Sequence, residues 1–264
     1  MYGAKYFYRD LDTMNLDELI PGLTEEEASS PYAKYFNMGC AAPEQAVLDG
    51  SVIPAEDAIA PEALADWVRA GGVRNSENGY CITKEGYGYA TSTLFIPTVP
   101  DDVVKCYESW DPQGDIAYKT WYPGAHIRHL MDGAIEDMGS GVLKCNFLSP
   151  VMGDELGFDP AELDPNLEMF MLGRGRFKKL YDGDDVPFSY MMICKYVTRV
   201  DGGIKFRTIF WNGCDCEDGV FVSKLEPGNE PSLEQMRGVM LHSGYENANS
   251  YALMYAWYED HKND

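Results

Sequence analysis

The hydrophobic positions of this chain fall into two periods. Between Tyr87 and Pro97 the run Tyr-Gly-Tyr-Ala-Thr-Ser-Thr-Leu-Phe-Ile-Pro is rich in β-formers and bounded by turn residues, which predicts a strand. Gly141 to Leu148 predicts another, and so does Tyr118 to Tyr122. The clearest signal is a hairpin: Tyr190 to Val200, the turn Asp201-Gly202-Gly203, then Ile204 to Trp211. Helical patterning brackets these strands. Leu16 to Ile20 and Thr24 to Glu27 read as short acidic helices, and Val99 to Trp110 as a third. Pro61 to Val68 is a further short helix, with proline early and Gly71-Gly72 as its stop. A long helix is predicted from Ser232 to Asp260, with Ser232 as cap and Gln235 at the third helical position. At about 100° per residue, Leu233, Met240, Tyr251 and Tyr258 share one side of it, and Val239, His242, Glu246 and Leu253 the other. A helix apolar on two sides is one that is largely buried.

This order of elements predicts an α+β chain: a helical, loop-rich extension over residues 1–75, then an antiparallel sheet wrapped around the long C-terminal helix over residues 76–264. A chain of 264 residues can bury a sizeable core. The formal charge of −22 repels phosphate backbones and anionic lipid heads, so neither nucleic acid nor a membrane surface is an expected partner. No apolar run approaches the ~20 residues that span a bilayer. The first ten residues hold no signal-peptide core, so a cytoplasmic protein is expected. The seven cysteines are scattered and odd in number, which predicts reduced thiols. The one close pair, Cys214 and Cys216, has too short a spacing for a zinc clip and reads as a turn with buried thiols. A homo-oligomer is compatible with the sequence.

The candidate chemistry lies in two distant stretches. Three of the four histidines, His126, His129 and His242, fall in Ile116–His129 and His242–Glu246. His242 and Glu246, four apart on a helix, project from one face, close enough to share a divalent ion. The same spacing is also that of an ordinary polar contact. His126 follows Pro123-Gly124-Ala125, just after the strand read at Tyr118–Tyr122, and can point into a cavity from there. A helical turn over His126–His129 would face both imidazoles to one site. The alternative is one buried and one solvated histidine.

The run Tyr118-x-x-Trp121-x-Pro123-x-x-His126, with His242-x-x-x-Glu246 and the hairpin ending Gly202 to Gly213, resembles the 2,4-diacetylphloroglucinol hydrolase and phloretin hydrolase family, over roughly residues 105–250. The resemblance implies a helix-grip fold, like the plant pollen-allergen and START-like lipid-carrier domains, with a catalytic zinc ion (Zn2+) in the cavity. It implies His126, His242 and Glu246 as metal ligands, with Glu155 as the fourth and Asp154 as its alternative. It implies Tyr118 as a catalytic, substrate-binding group. His129, three residues after the first ligand, stands where the family has an asparagine, and is assigned the same role. A further phenol-binding residue is implied in the Tyr190–Trp211 hairpin, where Lys195, Tyr196 and Arg207 are the candidates. The implied activity is hydrolysis of the C–C bond between a phloroglucinol ring and its acyl group, as in phloretin. The competing reading is a non-catalytic helix-grip carrier of an aromatic or lipid ligand, which has no need of the His/Glu set.

Overall fold

A computed structural model describes residues 22–111, 114–129, 134–137, 143–151, 153–179 and 188–263. The acidic helix expected at Leu16–Ile20 lies outside them. The strands are β1 (Ser51–Val52), β2 (Gly79–Ile82), β3 (Gly88–Pro97), β4 (His126–His129), β5 (Ala134–Asp137), β6 (Leu143–Val151), β7 (Leu167–Lys179), β8 (Ser189–Val200) and β9 (Gly203–Asn212), followed by β10 (Cys214–Glu217) and β11 (Val220–Ser223). The first nine form one sheet in the order β1-β2-β3-β9-β8-β7-β6-β5-β4. Only the β1–β2 pair is parallel; every other neighbour is antiparallel. β10 and β11 make a separate two-stranded ribbon. The helices are α1 (Glu25–Ala28), α2 (Ala33–Asn37), α3 (Gln45–Leu48), α4 (Leu64–Arg69), α5 (Asp101–Tyr107), α6 (Asp115–Trp121), α7 (Gly153–Leu156), α8 (Pro160–Leu163) and α9 (Leu233–His261). The architecture is thus mixed α+β, with a mostly antiparallel sheet and a long C-terminal helix, as expected.

The β8–β9 hairpin forms where the sequence places it, with Val200 opposite Gly203. Gly202 supplies the left-handed turn residue, at φ 78. Gly203 serves a different need: a Cβ there would lie 2.2 Å from the Ile96 carbonyl oxygen of β3. The long helix begins as predicted, with the Ser232 hydroxyl accepting from the Gln235 N–H at 3.1 Å.

Alternation along the strands divides the core between the two faces of the sheet. Tyr89, Met192, Cys194, Tyr196, Ile209 and Trp211 point to one face and pack with Leu64, Trp67 and Val68 from α4. Their neighbours Ala90, Met191, Ile193 and Phe210 point to the other and meet Met236, Val239 and Met240 of α9. The part expected as an extension therefore reaches the centre of the sheet: Trp67 lies 4.8 Å from the Tyr196 ring, and Trp211 Nε1 donates to the Ile59 carbonyl at 2.7 Å.

Two local expectations give way. Residues 118–122 do not form a strand; α6 occupies Asp115–Trp121. Tyr, Thr and Trp favour strands locally, but tertiary contacts decide here. Lys119, buried, donates to the Gly22 carbonyl at 2.9 Å and to Glu27 at 2.8 Å, and Asn249 donates to the Thr120 and Trp121 carbonyls. Cys214-Asp215-Cys216 is not a turn but the β10 strand, with both thiols buried. Burial pushes the Cys214 thiol up to about 12. Among the described residues, Cys40, Cys81, Cys106, Cys194, Cys214 and Cys216 are all free. No helix among the described residues is long and apolar enough to cross a membrane.

Candidate metal centre

The centre is built from two elements distant in sequence. Helix α6 ends at Trp121, the chain turns through Pro123-Gly124, and His126 opens β4. Residues 126–129 are extended, not helical, with a bulge between His126 and Arg128. His242 and Glu246 come from the middle of α9, one turn apart on one face. Gly244, between them, lets α3 come close: a Cβ there would lie 2.6 Å from a Val47 methyl.

His126 is fully buried, and its Nδ1 donates to the Tyr118 carbonyl at 2.7 Å. A carbonyl can only accept, so Nδ1 carries a proton and Nε2 is the ring nitrogen left to serve as a ligand. That Nε2 lies 3.0 Å from Glu246 Oε1 and 3.3 Å from His242 Nε2. His242 Nε2 lies 3.1 Å from the same Oε1. Burial alone would raise the Glu246 carboxyl, but the charge of His242 and the contacts to both imidazoles outweigh it and hold it well below the usual carboxylate range.

These three donors fit a divalent metal ion. They form the one group of three or more potential ligands of this kind among the described residues. Donors ~2.0–2.2 Å from a tetrahedral zinc are ~3.3–3.6 Å apart, so an ion enters this triangle with adjustments of a few tenths of an ångström. Two imidazole nitrogens and one carboxylate oxygen converge here, and a single cation can be shared by all three. The carbonyl bond at His126 Nδ1 is the kind of outer contact that fixes a ligating imidazole's tautomer and ring angle.

Aromatic rings enclose the group. Tyr118 stacks on His126 at 3.8 Å with planes 3° apart, and Trp121 stands edge-on to His126 at 5.5 Å. Tyr122 lies 5.0 Å from His242 and stacks on Tyr245 at 5.5 Å. Trp121 also ties the two halves together, since its Nε1 donates to the Glu246 carbonyl at 3.2 Å. Cys40 approaches from the N-terminal side, but burial and the Glu246 charge push its thiol up to about 12 and keep it protonated.

The other residues singled out from the sequence are distributed more widely. Glu155 is not brought to the group: its Oε1 accepts from Arg174 at 2.7 Å, and Arg174 also reaches the Cys216 carbonyl of β10. The side chains of Asp154 and His129 lie outside the described residues. Lys195 is on the α9 side of the sheet, its Nζ 5.3 Å from the Trp121 ring. Arg207 and Tyr196 are on the opposite side. Arg207 donates to Thr198 at 2.8 Å and lies 5.6 Å over the Tyr196 ring, and the Tyr196 hydroxyl bonds Asp164. Strand parity is the reason: Lys195 and Tyr196 are adjacent and must face opposite ways. Tyr122 and Tyr245 were not singled out beforehand. Their proximity to His126 and Glu246 in sequence was the available signal.

Among curated proteins, none matches this chain. Residues 61–135 match the family model described as DAPG hydrolase PhiG domain. The match starts earlier than the resemblance at 105–250 suggests and ends sooner. It contains Tyr118, Trp121, Pro123, His126 and His129, and stops before the helix that carries His242 and Glu246. Over that segment, which carries His126, the chain is similar to the DAPG hydrolase PhiG domain.

Proposed function

We propose that this protein is a zinc-dependent hydrolase that cleaves the C–C bond between a phloroglucinol ring and its acyl group, with a phloretin-like substrate, in a cytoplasmic helix-grip domain. The match to the DAPG hydrolase model supports a hydrolytic enzyme for acylphloroglucinols. The observation that carries the metal-dependent reading is the convergence of His126, His242 and Glu246, three donors 3.0–3.3 Å apart. Glu155 completes the ligand set only by leaving Arg174, so the proposal rests on these three.

A zinc ion at this group would supply Lewis acidity toward the acyl oxygen and lower the pKa of a bound water toward ~7. The protein's own residues supply the rest. The leaving group is a ring carbon, which departs readily only if the ring takes its keto tautomer and leaves as an enolate. Hydrogen-bond donors on the ring oxygens stabilise that enolate. Tyr118 and His129 are assigned this role, with Lys195, held against Trp121, as the cationic member. Arg207 is not given a part, because it faces the other side of the sheet. The rings of Tyr118, Trp121, Tyr122 and Tyr245 offer flat apolar walls to an aromatic substrate. A protonated neighbour then returns a proton to the ring carbon. The products are phloroglucinol and the carboxylic acid.

The test is metal analysis of the purified protein, followed by chromatography of phloretin incubated with the zinc-loaded form. The expected result is zinc in the protein and conversion of phloretin to phloroglucinol plus acid. Intact phloretin beside rapid cleavage of an ordinary ester or amide would indicate a different hydrolase. A metal-free protein that binds phloretin without converting it would indicate a carrier.

A further inference from the structure

We infer that Asn249 is a positioning residue that sets the distance between the two halves of the metal centre. The inference rests on the metal-binding reading above and goes beyond it, since Asn249 touches none of the three donors.

Asn249 is 2% exposed and lies on α9, three residues after Glu246 and seven after His242. Those spacings place it on the same face of the helix, one to two turns further along. Its side-chain amide is fully engaged. Nδ2 donates to the Thr120 carbonyl and to the Trp121 carbonyl, both at 2.9 Å, and Oδ1 accepts from the Ala41 N–H at 3.0 Å. Two carbonyls on one side and an N–H on the other fix which end of the amide is nitrogen.

The carbonyls of Thr120 and Trp121 are among the last of α6, which a helix end leaves without internal partners. Asn249 therefore caps α6 from another helix. Tyr118, whose carbonyl holds His126 Nδ1, belongs to α6 as well. One amide thus joins the helix that carries His242 and Glu246 to the helix that orients His126. The bond from Trp121 Nε1 to the Glu246 carbonyl runs parallel to it but fixes only one carbonyl, whereas Asn249 also ties residue 41 into the same junction. Without Asn249, α6 can slide along α9, and the 3.0 and 3.3 Å separations between His126 and its partners are the distances that change.

Asn247 provides the control. It is also buried, on the same helix, but its amide reaches Thr208 of the sheet and Ser243 of its own helix, both at 3.4 Å, and not α6. Asn249→Ala and Asn247→Ala should both lower the thermal midpoint. Only Asn249→Ala should weaken zinc binding, by about 10–100-fold in chelator competition at a temperature where both are folded, the range seen when outer-shell supports of metal ligands are lost. It should also alter the visible absorption of the cobalt(II)-loaded protein, which reports ligand geometry. If Asn249→Ala does not fold, Asn249→Ser, which keeps a small polar group but cannot span to both carbonyls, carries the same expectation. Zinc affinity and cobalt spectrum unchanged from wild type would overturn the inference while leaving the metal centre standing. Equal losses in the Asn247 and Asn249 variants, or failure of both Asn249 variants to fold, would overturn it too, by making the residue a general support of the fold. Absence of stoichiometric zinc binding in the wild type would overturn the metal centre itself.

Discussion

Replacing His242 by alanine should remove the metal and leave the fold. The imidazole contributes one of three convergent donors, with its Nε2 3.1 Å from Glu246 Oε1 and 3.3 Å from His126 Nε2. A four-ligand zinc site is worth about 10–16 kcal/mol, hence roughly 2.5–4 kcal/mol per ligand. With about 1.4 kcal/mol per factor of ten, losing one ligand weakens binding ~10²–10³-fold. At a zinc concentration 100 times the wild-type Kd, the ion stabilises wild type by about 2.7 kcal/mol and the variant by about 0.4 kcal/mol or less. The fold should survive, because α9 is anchored by Met236, Val239, Met240, Leu241 and Leu253, none of which touches this substitution's chemistry. The 3.0 Å contact of His126 with Glu246 also remains. The assay is thermal unfolding of metal-stripped protein with and without zinc, together with elemental analysis after dialysis. Wild type should show a zinc-dependent rise in midpoint and about one ion per chain, and His242→Ala neither. Full zinc occupancy in the variant, or equal midpoint shifts in the two proteins, would refute the assignment of these residues as ligands.

Tyr118→Phe should keep zinc and stability but lose most turnover, because the Tyr118 carbonyl and ring hold His126 and only the phenol is removed; wild-type rates by chromatography would show that the ring merely packs. Trp211→Ala, on the far face of the sheet, should cost about 3–5 kcal/mol in denaturant unfolding, since the indole is fully buried and donates to Ile59. It should leave zinc affinity unchanged under conditions where it is folded, and a parallel loss of affinity would show that the two faces are coupled.

The sequence by itself determined the elements whose signals are local. The β8–β9 hairpin was legible because Asp201-Gly202 separates two β-rich runs, and the start of α9 because Ser232 and Gln235 stand in capping positions. The pairing of His242 with Glu246 was legible for the same reason: their relation is fixed by helical geometry four residues apart, before any tertiary contact forms. What only the tertiary structure decided are relations across long separations. Residues 118–121 are helical because Lys119 and the Thr120 and Trp121 carbonyls find partners in Gly22, Glu27 and Asn249, none of which local propensity can register. The parity of β8 assigns Lys195 to the side of α9 and Tyr196 to the other, and parity depends on register across the whole sheet. The family resemblance implies Glu155 as a ligand, yet Arg174 claims its carboxylate, because strand β7 and the β10–β11 ribbon meet there. The triangle of His126, His242 and Glu246 exists only once α6 is docked on α9. A linear sequence carries the identity of the donors, and only the docking of two helices sets their distances.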